Sequence, residues 1–243
     1  WSWDALFPVI AALVAGAGLL QFVALPDPPS HGPEASGAVA PSPFDWAALG
    51  TLWHDHRVRA SVFAYFGHMV ELYTMWVAVP LLIGARLQGG PAALVAFIVL
   101  GGGALTCVWG GLLSRRWGSA RVGGLFLAAS GACALCAPWM VDAPDAAFYA
   151  WLLLWGWSVS SDSPQFSALT ASNAPPHAVG SVLTLTNCIG FTLSIISIEL
   201  FARLSQWMDL GTLLGWLALG PMVGLLMLRP LWSEGVHPPH LRG

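Results

Sequence analysis

Nearly uncharged apolar runs, each about as long as the roughly 20 residues that a helix needs to cross ~30 Å of hydrocarbon, recur along this chain. They leave little room for any plan other than a bundle of membrane-spanning helices. Seven candidates stand out, at 5–25, 60–85, 92–113, 118–141, 146–169, 178–202 and 210–228. Turn-forming residues punctuate them: Pro26-Asp27-Pro28-Pro29 after the first, Gln88-Gly89-Gly90-Pro91 after the second, Asp142-Ala143-Pro144-Asp145 after the fourth and Asn173-Ala174-Pro175-Pro176 after the fifth. Only 9 basic and 12 acidic side chains occur in 243 residues, where a soluble domain of this length carries roughly 60 charges. The apolar fraction of 56% and the 14 Trp, rings that favour headgroup boundaries, agree.

Every one of the nine cations is Arg, and the net charge is -3. That gives no basic field for nucleic acid, and a chain without Lys has no P-loop. Short turns force successive spans to alternate in direction. With segment 26–57 placed in the cytoplasm, Arg57, Arg59, Arg115, Arg116, Arg121, Arg229 and Arg242 face that side, and only Arg86 and Arg203 face outward. The positive-inside rule favours this orientation. Segment 26–57, rich in Pro, Gly, Ser and Ala, reads as a cytoplasmic linker, and 231–243 reads as a cytoplasmic tail. The chain opens on Trp1 rather than Met, with no signal-peptide pattern, so it reads as a piece of a longer chain or one missing its start.

The sharpest local pattern is Gly110-Gly111-Leu112-Leu113-Ser114-Arg115-Arg116-Trp117-Gly118. It resembles the loop G-x-x-x-D-R-x-G of the major facilitator superfamily, with Gly111, Arg115, Arg116 and Gly118 on motif positions and Arg115 standing where the family carries Asp. An ordinary positive-inside loop is the alternative. Gly67-His68-Met69-Val70-Glu71-Leu72-Tyr73-Thr74-Met75-Trp76 and the stretch from Asp162 to Leu169, followed by Val179-Gly180-Ser181, resemble bacterial members of nitrate/nitrite or cyanate type. The resemblance implies an all-α membrane protein with seven transmembrane helices. The first, 1–25, would be the sixth of a full transporter, and the last six, within 58–230, would form its C-terminal bundle. The implied partners are an N-terminal half of the same transporter, the lipid bilayer, a small-molecule substrate and protons. The implied place is a bacterial inner membrane.

Glu71 lies about 12 residues into its span, near the midplane at 1.5 Å per residue. A carboxylate there costs at least ~2.5 kcal/mol, so it should be paired, protonated or facing water. Tyr65, His68 and Glu71 recur at three-residue spacing and are expected to share one cavity-lining face. An acid beside an imidazole suits proton coupling, and the alternative is a structural pair between helices. Asp162, two residues before Pro164, marks either a hinge or a polar helix end, with Ser160, Ser161, Ser163 and Gln165 able to satisfy freed backbone groups. Thr184, Thr186 and Asn187 are mid-depth candidates for either cavity contact or interhelical contact. Together, Tyr65, His68, Glu71, Asp162, Gln165 and Asn187 are the expected proton-coupling or substrate-cavity residues.

Cys133-x-x-Cys136 lacks the further ligands of a zinc site, His54-Asp55-His56 is a weak metal signal, and no cofactor is expected. The leading expectation is a secondary active transporter, either symporter or antiporter, working by alternating access. A membrane-embedded enzyme or assembly scaffold is the alternative. A nitrate-type site presents Arg to its anion, whereas 92–113 holds none, and a cationic or neutral solute fits better beside Glu71 and the aromatic rings.

Overall fold

A computed structural model describes residues 3–24 and 48–232, and every regular element among them is helical. Two compact units divide the chain at 43/44. The first contains α1 (Trp3–Ala24), whose only charge is Asp4 in the opening turn. The second begins within the expected linker, where a short α2 (Ala48–His54) buries Leu52. Linker residues 26–47 and tail residues 233–243 lie outside the described residues.

Asp55 starts α3 (His56–Gly84) a turn earlier than expected, its carboxylate accepting the N–H groups of Arg57 and Val58. There follow α4 (Gly90–Gly101), α5 (Gly103–Trp117), α6 (Ser119–Met140), α7 (Asp145–Ser161), α8 (Ser163–Asn173) and α9 (Val179–Leu204). The last span is α10 (Leu210–Gly215), a 3-10 turn (Trp216–Ala218) and α11 (Leu219–Trp232). Asp209 caps α10 by accepting Thr212 N–H at 2.8 Å, which holds its carboxyl below the usual range.

The expectation of seven transmembrane helices, the last six forming one bundle, is corrected by this architecture. Six helices among the described residues are long and apolar enough to cross a membrane: 6–24, 56–84, 90–117, 119–140, 179–204 and 210–232. The expected span at 146–169 is instead split into α7 of 17 residues and α8 of 11. Each falls short of the roughly 20 residues that a crossing takes. The cause is local. Pro164 has no N–H to offer the Ser160 carbonyl, which accepts the Cys107 thiol at 3.1 Å instead. Ser158, Ser160 and Ser161 also turn their hydroxyls back onto the carbonyls of Leu154, Gly156 and Trp157, a pattern that bends helices.

The α4–α5 break at Gly102 has a different origin. A Cβ on Gly102 would run into the Trp157 indole, one on Gly103 into Ser160, and one on Gly156 would come within 2.7 Å of Val99. These glycines let α4–α5 and α7 cross at backbone distance. Trp157 Nε1 then donates to Ile98 O at 3.1 Å, and Thr106 Oγ1 to Trp157 O at 3.0 Å, two hydrogen bonds that tie the break to α7.

Helix α3 is the hub, with α4, α7, α8, α9 and α11 around it. Against α11 the approach is closest: a Cβ on Gly67 would overlap the Gly220 carbonyl, and one on Gly224 would lie 3.2 Å from Ala64 O. Against α9 the seam is polar, with Thr74 Oγ1 2.7 Å from Ser197 Oγ, Ser194 Oγ donating to Met69 O at 2.9 Å and Ser197 Oγ to Val70 O at 2.8 Å. One apolar core gathers around Met75, Ile83, Phe148 and Trp155, and a second around Tyr65, Met69, Phe166 and Val182. At the far end of α3, Arg86 ties the α3–α4 turn to the α6–α7 loop. It contacts Asp145 at 2.6 Å, donates to Val141 O and Ala143 O, and lies 4.1 Å above the Phe148 ring.

Candidate functional site

The polar centre of the second unit is built on α3. His68, Glu71 and Asp162 have no exposed surface. His68 Nδ1 lies 2.8 Å from Asp162 Oδ1. No other side chain satisfies either group among the described residues. The pair joins α3 to the α7–α8 junction. Phe166 of α8, also without exposed surface, covers the imidazole at a ring separation of 6.2 Å.

Glu71 is held differently. Trp155 Nε1 donates to Oε1 at 2.7 Å, and Ser130 Oγ lies 2.8 Å from Oε2. Both oxygens are occupied by neutral donors, from α7 and α6, and no cation pairs with it among the described residues. A buried carboxylate held this way keeps its orientation but has no opposite charge to offset its desolvation.

Tyr65 points to a third neighbour, its hydroxyl donating to Asn187 Oδ1 on α9 at 3.0 Å. Tyr65 and His68 are neighbours on α3, their ring centroids 5.9 Å apart, but the three side chains turn to different partners. Three residues advance a helix by about 300°, so each step drifts ~60° and the outer two stand ~120° apart. The three side chains go to α9, α8 and the α6–α7 pair.

Gln165 is buried between α5 and α6, where glycines make room for it. A Cβ on Gly110 would come 3.5 Å from its Nε2, and one on Gly123 3.1 Å from its Cβ. Thr184 is exposed on α9, while Thr186 is buried and donates to Val182 O at 2.7 Å. In the loop motif, Gly118 ends α5 at φ 83°, a conformation that L side chains avoid, whereas nothing lies within 4 Å of a Cβ on Gly111. Arg115 and Arg116 are exposed. Ser130 and Trp155 were not marked by the sequence. They lie 59 and 84 residues from Glu71, so no local spacing signals the contact. Among the described residues no three His, Cys, Asp or Glu side chains gather as a metal site.

A family model described as Major Facilitator Superfamily matches residues 1–198. The chain belongs to the Major Facilitator Superfamily. Major facilitator proteins are transporters rather than enzymes, so this is an integral membrane protein of the transport class. No curated protein and no solved structure matches the chain.

Proposed function

We propose that the chain is the C-terminal half of a proton-coupled secondary transporter for a small solute, working by alternating access against an N-terminal half of the same transporter. Proton handling falls to His68, Asp162 and Glu71, and solute contact to the Tyr65–Asn187 side of α3. The observation that carries this reading is the His68–Asp162 pair, fully buried and 2.8 Å apart, at a break between two helices. A buried polar network that is only partly satisfied in a low-dielectric interior is sensitive to the gain or loss of one proton. Its position lets that event act on the packing of α8 against α3. Residues 67–76 and 162–169, through their resemblance to nitrate/nitrite- or cyanate-type members, support a small solute. The seven-to-two Arg distribution supports an orientation with linker and C-terminus in the cytoplasm, and the resemblance to bacterial members supports a bacterial inner membrane.

The test is uptake by proteoliposomes containing the full transporter, with an imposed proton gradient and a panel of small solutes. Accumulation that collapses when a protonophore is added is the expected result. Accumulation unaffected by the protonophore would remove proton coupling, and no saturable uptake of any solute would remove the transport reading of this chain.

A further inference from the structure

The exposed face of α9 changes character part-way along the helix. Its first part presents Thr184, Asn187, Cys188, Phe191 and Thr192, the last donating to Cys188 O at 2.8 Å, and beyond them come Ile195, Ile196 and Leu200, with the Glu199–Arg203 pair at the helix end. Exposed polar side chains within a membrane span belong against water or protein rather than lipid. Asn187 accepts the Tyr65 hydroxyl through Oδ1, and its amide N–H groups have no partner among the described residues. Beside them on the same flank, Tyr73 packs on Trp76 with centroids 5.5 Å apart and on Phe191 at 5.7 Å.

Among the described residues, charge is missing from this flank. Between residues 60 and 84 of α3 the only acid is Glu71 and the only imidazole His68, and both are fully buried and directed toward α6–α8. Along α9 the first charge is Glu199, which contacts Arg203 at 2.6 Å. An anion would find no cation here and a cation no acid. The rings meet edge-on or tilted, at interplanar angles of 62° and 52°, as a contiguous aromatic surface.

We propose that the face formed by Tyr73, Trp76, Asn187, Cys188 and Phe191, with buried Tyr65 holding Asn187 from behind, lines a water-filled cavity and takes an uncharged solute, which stacks on the rings and accepts a hydrogen bond from the Asn187 amide. This substrate class rests on the reading of the chain as a transporter. It also separates the two halves of the mechanism. Protons act on one side of α3 and the solute on another, so they are coupled through movement of α3 and not by direct contact.

Cys188 is a native probe of this face. In membranes holding the full transporter, methanethiosulfonate reagents carrying a sulfonate, a trimethylammonium or a neutral hydroxyethyl group are applied to the parent protein and to Cys188→Ser, and the difference isolates Cys188. Rates are divided by those with a free thiol. The expected result is reaction at Cys188 with all three reagents and no preference for either sign, while Phe97→Cys, placed on the apolar outer face of α4 in the Cys188→Ser background, stays unmodified. An unreactive Cys188 would overturn the cavity. A preference for one sign of more than about tenfold, the scale on which charged clefts concentrate ions, would overturn the uncharged class. Neither readout needs transport, so a failed uptake assay and a failed labelling pattern contradict different statements.

Discussion

Replacing Asp162 with Asn is expected to abolish solute accumulation driven by a proton gradient and to leave exchange of solute across the membrane intact. Asn keeps the shape of the side chain and removes the proton site, so α8 still packs on α3 through Phe166 and through Thr170, whose hydroxyl lies 3.1 Å from Ser61 Oγ. What is lost is the charge facing His68 at 2.8 Å. Glu71→Gln is expected to give the same separation of accumulation from exchange. There the amide oxygen can keep the Trp155 N–H while the amide N–H donates to Ser130 Oγ, whose own hydroxyl turns to Leu127 O at 3.2 Å, so both variants are expected to keep the fold. The assay is proteoliposome uptake with and without a gradient, alongside counterflow at equal pH. Uptake that still follows the proton gradient in both variants would remove the buried polar centre from the mechanism.

The largest effect on folding is expected at Gly67. A methyl group there would overlap the Gly220 carbonyl and stand 3.2 Å from Gly224 Cα, and these are backbone atoms that cannot rotate aside. Helices α3 and α11 would have to separate, and the seam with α9 would move with them. Overpacking of this kind costs about 1–3 kcal/mol even where side chains can adjust, so Gly67→Ala should cost at least that much. Gly111→Ala provides the comparison, because a Cβ there meets nothing within 4 Å. Both changes gain a similar helix propensity of about 1 kcal/mol. A lower melting temperature and a smaller monodisperse fraction in detergent are expected for Gly67→Ala alone. Equal stability of the two variants would show that the α3–α11 contact is looser than its geometry.

Much of the fold is written in the spacing of apolar runs, because a membrane helix is a composition and a length before it is a set of contacts. Segment 118–141 matches α6 (Ser119–Met140) to within a residue, and 178–202 matches α9 (Val179–Leu204) to within two. The same criterion passed over the split at Asp162. Hydropathy averages across a proline and three serines, whereas the structure responds to one missing N–H and to hydroxyls competing for carbonyls. Ionisable residues inside a span were legible for a similar reason, since Glu71 and Asp162 are costly wherever they point. Their partners were not. Which way each side chain points depends on a 60° drift per three-residue step, and Trp155 is brought to Glu71 by the crossing of α3 and α7, not by any local pattern. The separation of an acid-free Tyr65–Asn187 flank from the Glu71 side is likewise a product of packing.

Infrared difference spectroscopy of the purified protein, recorded as pH is changed over the range in which it stays folded, tests the central claim without requiring a known solute. Buried carboxyl groups that bind and release protons give C=O bands clear of the amide region. The account predicts at least one such band that appears and disappears with pH, loses intensity in Asp162→Asn, and loses a separate component in Glu71→Gln. A spectrum with no titrating carboxyl band, or a band that survives both substitutions unchanged, would contradict a proton-handling role for the His68, Asp162 and Glu71 centre.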